Sequence, residues 1–184
     1  MKVAIIAIVL VLPTFSAMAV DYTAIDPVQS KISFSYTQMG VVMEGGFEKY
    51  SVKLAFNPAK PESASALMEV QLASVDAGYP EATSEVAGSA WFNTAAHPVA
   101  RFESTGVKAL GGNRYQLNGK LTIKGRTKEI STPVSLTANG TQGLFEGAFK
   151  FNRTDFAIGE GDWSNTSIVA DPIQIRFKLL AIGK

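Results

Sequence analysis

Hydrophobic and polar positions alternate along most of the chain, and the longest run lies between residues 115 and 136. Tyr115, Leu117, Gly119, Leu121 and Ile123 fall at every second position, with Gln116, Asn118, Lys120, Thr122 and Lys124 between them. Successive strand side chains point to opposite faces, so this spacing predicts a strand with one apolar and one wetted face. Gly125-Arg126-Thr127-Lys128 reads as a polar turn. Ile130, Thr132, Val134 and Leu136 then resume the period against Ser131, Pro133 and Ser135. The pair predicts a β-hairpin of an antiparallel sheet with one solvated side.

The same period recurs in shorter stretches. Residues 31–36 place Ile32, Phe34 and Tyr36 on one face, and 67–72 do so with Met68, Val70 and Leu72. Strands are also predicted over 41–47, 52–56, 99–104 (with Phe102) and 106–110. Residues 144–151 carry Phe145, Gly147, Phe149 and Phe151 on one side, and 173–179 carry Ile173, Ile175, Phe177 and Leu179. Residues 80–92 break the pattern. They hold good helix formers, with Val86, Ala90 and Phe92 near one helical face, and predict a helix. A short helical turn is expected over 61–66.

About eight short strands with one or two short helices point to an all-β fold, an antiparallel barrel. A barrel of this size is filled by side chains or holds one small ligand. Inward-facing Gly119 and Gly147 would leave empty volume beside large aromatics, or else mark close packing or a bend.

Residues 1–19 stand apart. Lys2 precedes an unbroken apolar run from Val3 to Val11, Pro13 breaks it, and Ala17-Met18-Ala19 has the small-x-small form of a signal-peptidase site. The run is shorter than the roughly 20 residues that span a bilayer. The expectation is a removed signal peptide over 1–19 and one domain over 20–184, exported to the periplasm. Only Lys2 is lost from the charge count, so the formal net charge falls from +1 to zero. No basic excess points to nucleic acid. The chain has no cysteine, which excludes disulfides, thiol catalysis and cysteine-held metals. His97 is the single histidine. A triad or a histidine-held zinc site has little to draw on, and no metal ligand set is assigned. The acidic residues form no recognisable acid–base pair. An enzyme is not expected.

Four ordered motifs resemble the YceI-like family of secreted bacterial lipid-binding proteins. They are Ile25-Asp26-Pro27 with Ser30, Ile32, Phe34 and Gly45-Gly46-Phe47; Trp91-Phe92-Asn93 with His97-Pro98 and Phe102-Glu103-Ser104-Thr105; Gly119 to Lys128; and Asn152-Arg153-Thr154-Asp155-Phe156-Ala157-Ile158-Gly159. The resemblance implies a lipocalin-like barrel holding a long amphiphile: a polyisoprenoid, an isoprenoid quinone or a fatty-acid amide. No cofactor is implied beyond that ligand.

The expected wall is Ile32, Phe34, Tyr36, Met68, Val70, Phe102, Leu121, Ile123, Phe149, Ile175 and Phe177. The candidates for the ligand's head are Gln29, Gln38, Trp91 and Arg153. Many family members carry histidine where this chain has Gln29 and Gln38. A neutral amide gains no positive charge at low pH, so these positions either favour a neutral head over a pyrophosphate or simply cap strands and turns. Arg153 and Asp155, two apart on one strand, would share a face and order the loop. The implied partner is a hydrophobic small molecule, with transient contact to a membrane or a membrane redox protein. An accessory redox component that presents a quinone is the alternative. Either a monomer or a homodimer fits.

Overall fold

The computed structural model describes residues 20–184, so the signal-peptide reading lies outside the described residues. The elements are β1 (Tyr22–Gln38), β2 (Val41–Phe47), β3 (Tyr50–Ala55), β4 (Ser65–Gln71), β5 (Val75–Asp76), α1 (Pro80–Ala87), β6 (Val99–Gly111), β7 (Arg114–Ile123), β8 (Arg126–Asn139), β9 (Gln142–Asn152) and β10 (Pro172–Gly183). They form one antiparallel sheet in the order β3-β4-β6-β7-β8-β9-β10-β1-β2-β5, curled into a lipocalin-like barrel.

The sheet has ten strands, not about eight. Eight of them close the barrel, and β2 and β5 extend the sheet beyond it; this division rests on β1, which is 17 residues long. Its start meets the end of β3: Tyr22 N–H donates to Phe56 O at 2.9 Å and Phe56 N–H donates to Tyr22 O at 3.0 Å. This closes a ring of eight strands from β3 round to β1. The far half of β1 carries β2, which in turn carries the two-residue β5. Between the halves, the pairing of β1 with β10 slips between Asp26 and Lys31. There the Asp26 carboxylate accepts the Val28 and Gln29 backbone N–H groups, a local turn that interrupts the alternation.

Three boundaries differ from expectation. Ile123 pairs directly with Arg126, so the β7–β8 turn is the two residues Lys124-Gly125. Both have positive φ (50° and 73°), the combination whose twist matches a hairpin. The stretches 99–104 and 106–110 are one strand, β6, with a register shift between Ser104 and Gly106. The helix stops at Ala87, before Gly88, a poor helix former. Phe92 N–H turns back to Val86 O at 3.0 Å.

The core has two halves. At one barrel end Phe56 meets Tyr115 and Phe145 edge-on, at 4.9 and 5.1 Å, and Tyr22 meets Phe145 at 5.7 Å. With Leu136, Leu179 and Ala181 they close that end. The second half gathers at the α1 end around Leu72, Trp91, Phe156 and Val169.

Gly119 and Gly147 are not vacant volume. The Phe102 ring lies over Gly119 and the Phe177 ring over Gly147, so closely that a Cβ would collide with either ring. The glycines let large rings lie flat against the wall, and that leaves the barrel centre open.

Candidate functional site

Between the two core halves lies a cavity of about 400 Å³ whose lining is almost wholly apolar. Alternation along each ring strand sets its wall. β1 contributes Ile32, Phe34 and Tyr36, and β4 contributes Met68 and Val70. Phe102 comes from β6, Leu121 and Ile123 from β7, Phe149 from β9, and Ile175 and Phe177 from β10. All eleven residues expected to form the wall lie on it. Leu117, Val134 and Leu179 also line the cavity and share the same strand faces, so the period that found the others reaches them too. Thr132 is buried on β8, with its hydroxyl donating to Ala148 O at 2.9 Å.

Besides Thr132 on β8 and Arg101 on β6, the polar lining collects at the α1 end, where β1 terminates. Gln38 lines the cavity there, and its Oε1 accepts the Tyr79 hydroxyl at 3.1 Å. Glu81, Ala82, Glu85 and Val86 of α1 line it too. Glu85 also accepts the Trp163 indole N–H at 2.8 Å. The Tyr36 hydroxyl donates to Ala77 O at 2.9 Å, and burial, with Tyr79 nearby, pushes its pKa up. Tyr79, the α1 residues and Trp163 escaped the sequence reading because they sit on a short helix and loops. No strand period marks which of their side chains face inward.

The four head-end candidates separate. Gln38 and Trp91 line the cavity. Trp91 is buried, packs at 5.4 Å against Trp163, and has an enclosed Nε1 with no hydrogen-bond partner among the described residues. Gln29 does not line it: it is exposed at the β1 irregularity, where its side-chain amide donates to Asp26 at 2.8 Å. These bonds hold the Asp26 carboxyl below its ordinary pKa.

Arg153 is also off the cavity wall. It is fully buried, and its guanidinium donates to Val169 O twice, and to Ile158 O, Gly159 O and Trp163 O, at 2.7–3.2 Å. It stands 5.5 Å over the Trp91 ring. Burial pulls its pKa down, and the Asp171 carboxylate opposes that. The expected Arg153–Asp155 pairing does not form. Residues Arg153–Phe156 are a 3-10 turn rather than strand, and Asp155 turns outward to Lys128 at 3.2 Å.

Comparison with known proteins covers almost all of the described chain. The YceI-like domain model matches residues 23–181. A UPF0312 protein of Azotobacter vinelandii is 31% identical over 150 residues, spanning 77% of this chain and 78% of that one. The crystal structure of Burkholderia cenocepacia BcnA superposes with a TM-score of 0.83 at 41% identity, covering 85% of this chain and 99% of that one. A polyisoprenoid-binding domain from Saccharophagus degradans shares the fold, with a TM-score of 0.67 at 16% identity over 90% of this chain and 98% of its own.

Proposed function

This chain belongs to the YceI-like domain family, and we propose that it is a periplasmic carrier that holds a long-chain amphiphile in its barrel. The ligand is a polyisoprenoid, an isoprenoid quinone or a fatty-acid amide. One observation carries the reading: an apolar cavity of about 400 Å³ is walled by every strand face whose period predicted it, with polar groups at one end. That volume falls in the roughly 300–1,000 Å³ range of ordinary ligand sites. Apolar area leaving water contributes about 25 cal/mol per Å², or about 0.8 kcal/mol per methylene, so a long tail binds without chemistry or cofactor. The polyisoprenoid-binding domain of the same fold supports this ligand class.

The head of the ligand lies at the α1 end and is uncharged. Gln38 and Trp91 offer neutral donors there, and the ionisable α1 side chains beside them, Glu81 and Glu85, are acidic. Those two carboxylates disfavour a phosphate, and the cation on the lining, Arg101, is already paired with Glu103 at 3.2 Å. The reading is binding and carriage rather than catalysis. It is tested by purifying the protein from its native host, extracting it with organic solvent and identifying the lipid by mass spectrometry. Recovery of a prenyl or acyl amphiphile is expected. An empty protein that also refuses polyprenols, quinones and fatty amides would overturn the carrier reading. Much tighter binding of a prenyl phosphate than of a matched quinone would overturn the neutral head.

A further inference from the structure

Of the six large apolar side chains that are exposed among the described residues, Val28 and Leu110 stand alone and the other four cluster where the barrel opens. Met39 is 77% exposed, Val42 67%, Val41 59% and Ile168 37%. Met39 N–H donates to Ile168 O at 2.7 Å, and Gln38 bridges to Val169, so the β1–β2 tip and the segment before β10 form one surface. No charged residue occurs from Ile32 to Met43 or from Trp163 to Ala170. β2 is an edge strand along its first residues, since β5 meets only Gly46 and Phe47. Exposed edges are ordinarily blunted with charge or proline, and this one carries valines. Met39 also has a φ of 49°, a turn conformation that favours Asn, Asp or Gly. Methionine at that position serves neither the turn nor solubility.

We propose that this tip docks the protein onto a lipid bilayer of low surface charge. Val41 pairs directly with Gln38, so the two side chains share a face, and Gln38 lines the cavity. Apolar surface therefore runs from the exposed tip to the cavity opening, and the occupant of the tip shares the chemistry of the ligand. Four side chains offer far less than the roughly 800 Å² per partner of a stable protein–protein interface, whereas a bilayer demands no shape complementarity. The charges next to the tip are Glu44, paired with Arg176 at 3.9 Å, and Glu81 and Glu85 of α1, an acidic excess that opposes an anionic membrane. The docking surface rests on the carrier reading for its purpose, which is to take up ligand from the membrane without passage through water.

The test uses protein expressed from the full 184-residue chain, with matched N-termini verified by mass spectrometry. Wild type and the double variant Met39→Asp/Val42→Asp are floated with phosphatidylcholine vesicles containing no isoprenoid. Both positions are exposed and off the cavity wall, and aspartate suits the turn, so circular dichroism should match. Wild type should float. The double variant should lose binding by about tenfold or more, and admixed phosphatidylglycerol should weaken wild-type binding. Uptake of an ethanol-dispersed polyprenol should be equal in the two proteins, while uptake from vesicles should slow only in the variant. Failure of wild type to float, or equal flotation of the variant, would overturn the proposal. So would a concentration-dependent dimer that the variant abolishes without any vesicle binding. Vesicle binding that depends on the tip, with no lipid uptake in either assay, would sustain the docking surface and sink the carrier reading.

Discussion

Arg153 shows how far a side chain's role depends on its surroundings. Its five donated bonds end on four backbone carbonyls of the 158–169 region, and no carboxylate touches it. A planar fork of donors suits such a bed, and a lysine ammonium cannot reproduce it. Arg153→Met leaves those carbonyls buried without donors, and urea unfolding should show a loss of about 3 kcal/mol or more. Arg153→Lys should recover only part of that. Trp91 presents the opposite case. Its enclosed Nε1 bonds to nothing in the described protein, so Trp91→Phe forfeits no internal hydrogen bond. Its unfolding midpoint should fall, because a smaller ring packs less well on Trp163 and under Arg153, while affinity of the folded protein for a quinone should fall by a few-fold to about tenfold, the worth of one hydrogen bond. An unchanged titration would remove Trp91 from the head site.

Strands and their loops contribute pairings that no single residue carries. Phe177 and Gly147 face each other across β10 and β9, and the ring occupies the place of the missing side chain. Gly147→Ala should drive the ring into the cavity, cost about 1–3 kcal/mol by overpacking, and lower lipid capacity measured by mass spectrometry of the loaded protein. The β7–β8 turn is tied to the loop over the cavity end by Lys124. Its ammonium donates to Glu160 at 2.8 Å, Ala157 O at 2.7 Å and Ser89 O at 3.1 Å. The Lys124 bond and charge hold the Glu160 carboxyl below its ordinary pKa. A depressed carboxylate adds stability above its unfolded pKa and loses it as pH falls through the folded value. The melting temperature of Glu160→Gln should therefore lie below that of wild type at neutral pH and converge with it in acid.

For the molecule as a whole, an open centre inside a ring of eight strands makes stability depend on occupancy. A ligand that binds only the folded barrel adds about 2.7 kcal/mol at a free concentration 100 times its dissociation constant. Delipidated protein should melt below the same protein reloaded with its lipid, in a concentration-dependent way. The two barrel ends are unlike. Tyr22, Phe56, Tyr115 and Phe145 pack into a plug at one, while α1, which has no buried residue, covers the other. The α1 end is therefore the one through which the proposed ligand enters and leaves.

The wall of the barrel was legible in the chain because facing direction within a strand is a local property. A period of two places Ile32 with Phe34, or Leu121 with Ile123, whatever lies opposite. The family motifs added the lipocalin-like fold and the basis for the ligand class proposed above. Everything that depends on distant partners required the folded chain. Gln29 turns to Asp26 while Gln38 faces the cavity, although both are neutral amides of one strand. Arg153 goes inward to carbonyls, Gly119 and Gly147 lie under rings from neighbouring strands, and β1 splits its pairing between two neighbours. These outcomes follow from which surfaces meet when the sheet curls and closes, through contacts between residues far apart in sequence that no local pattern records.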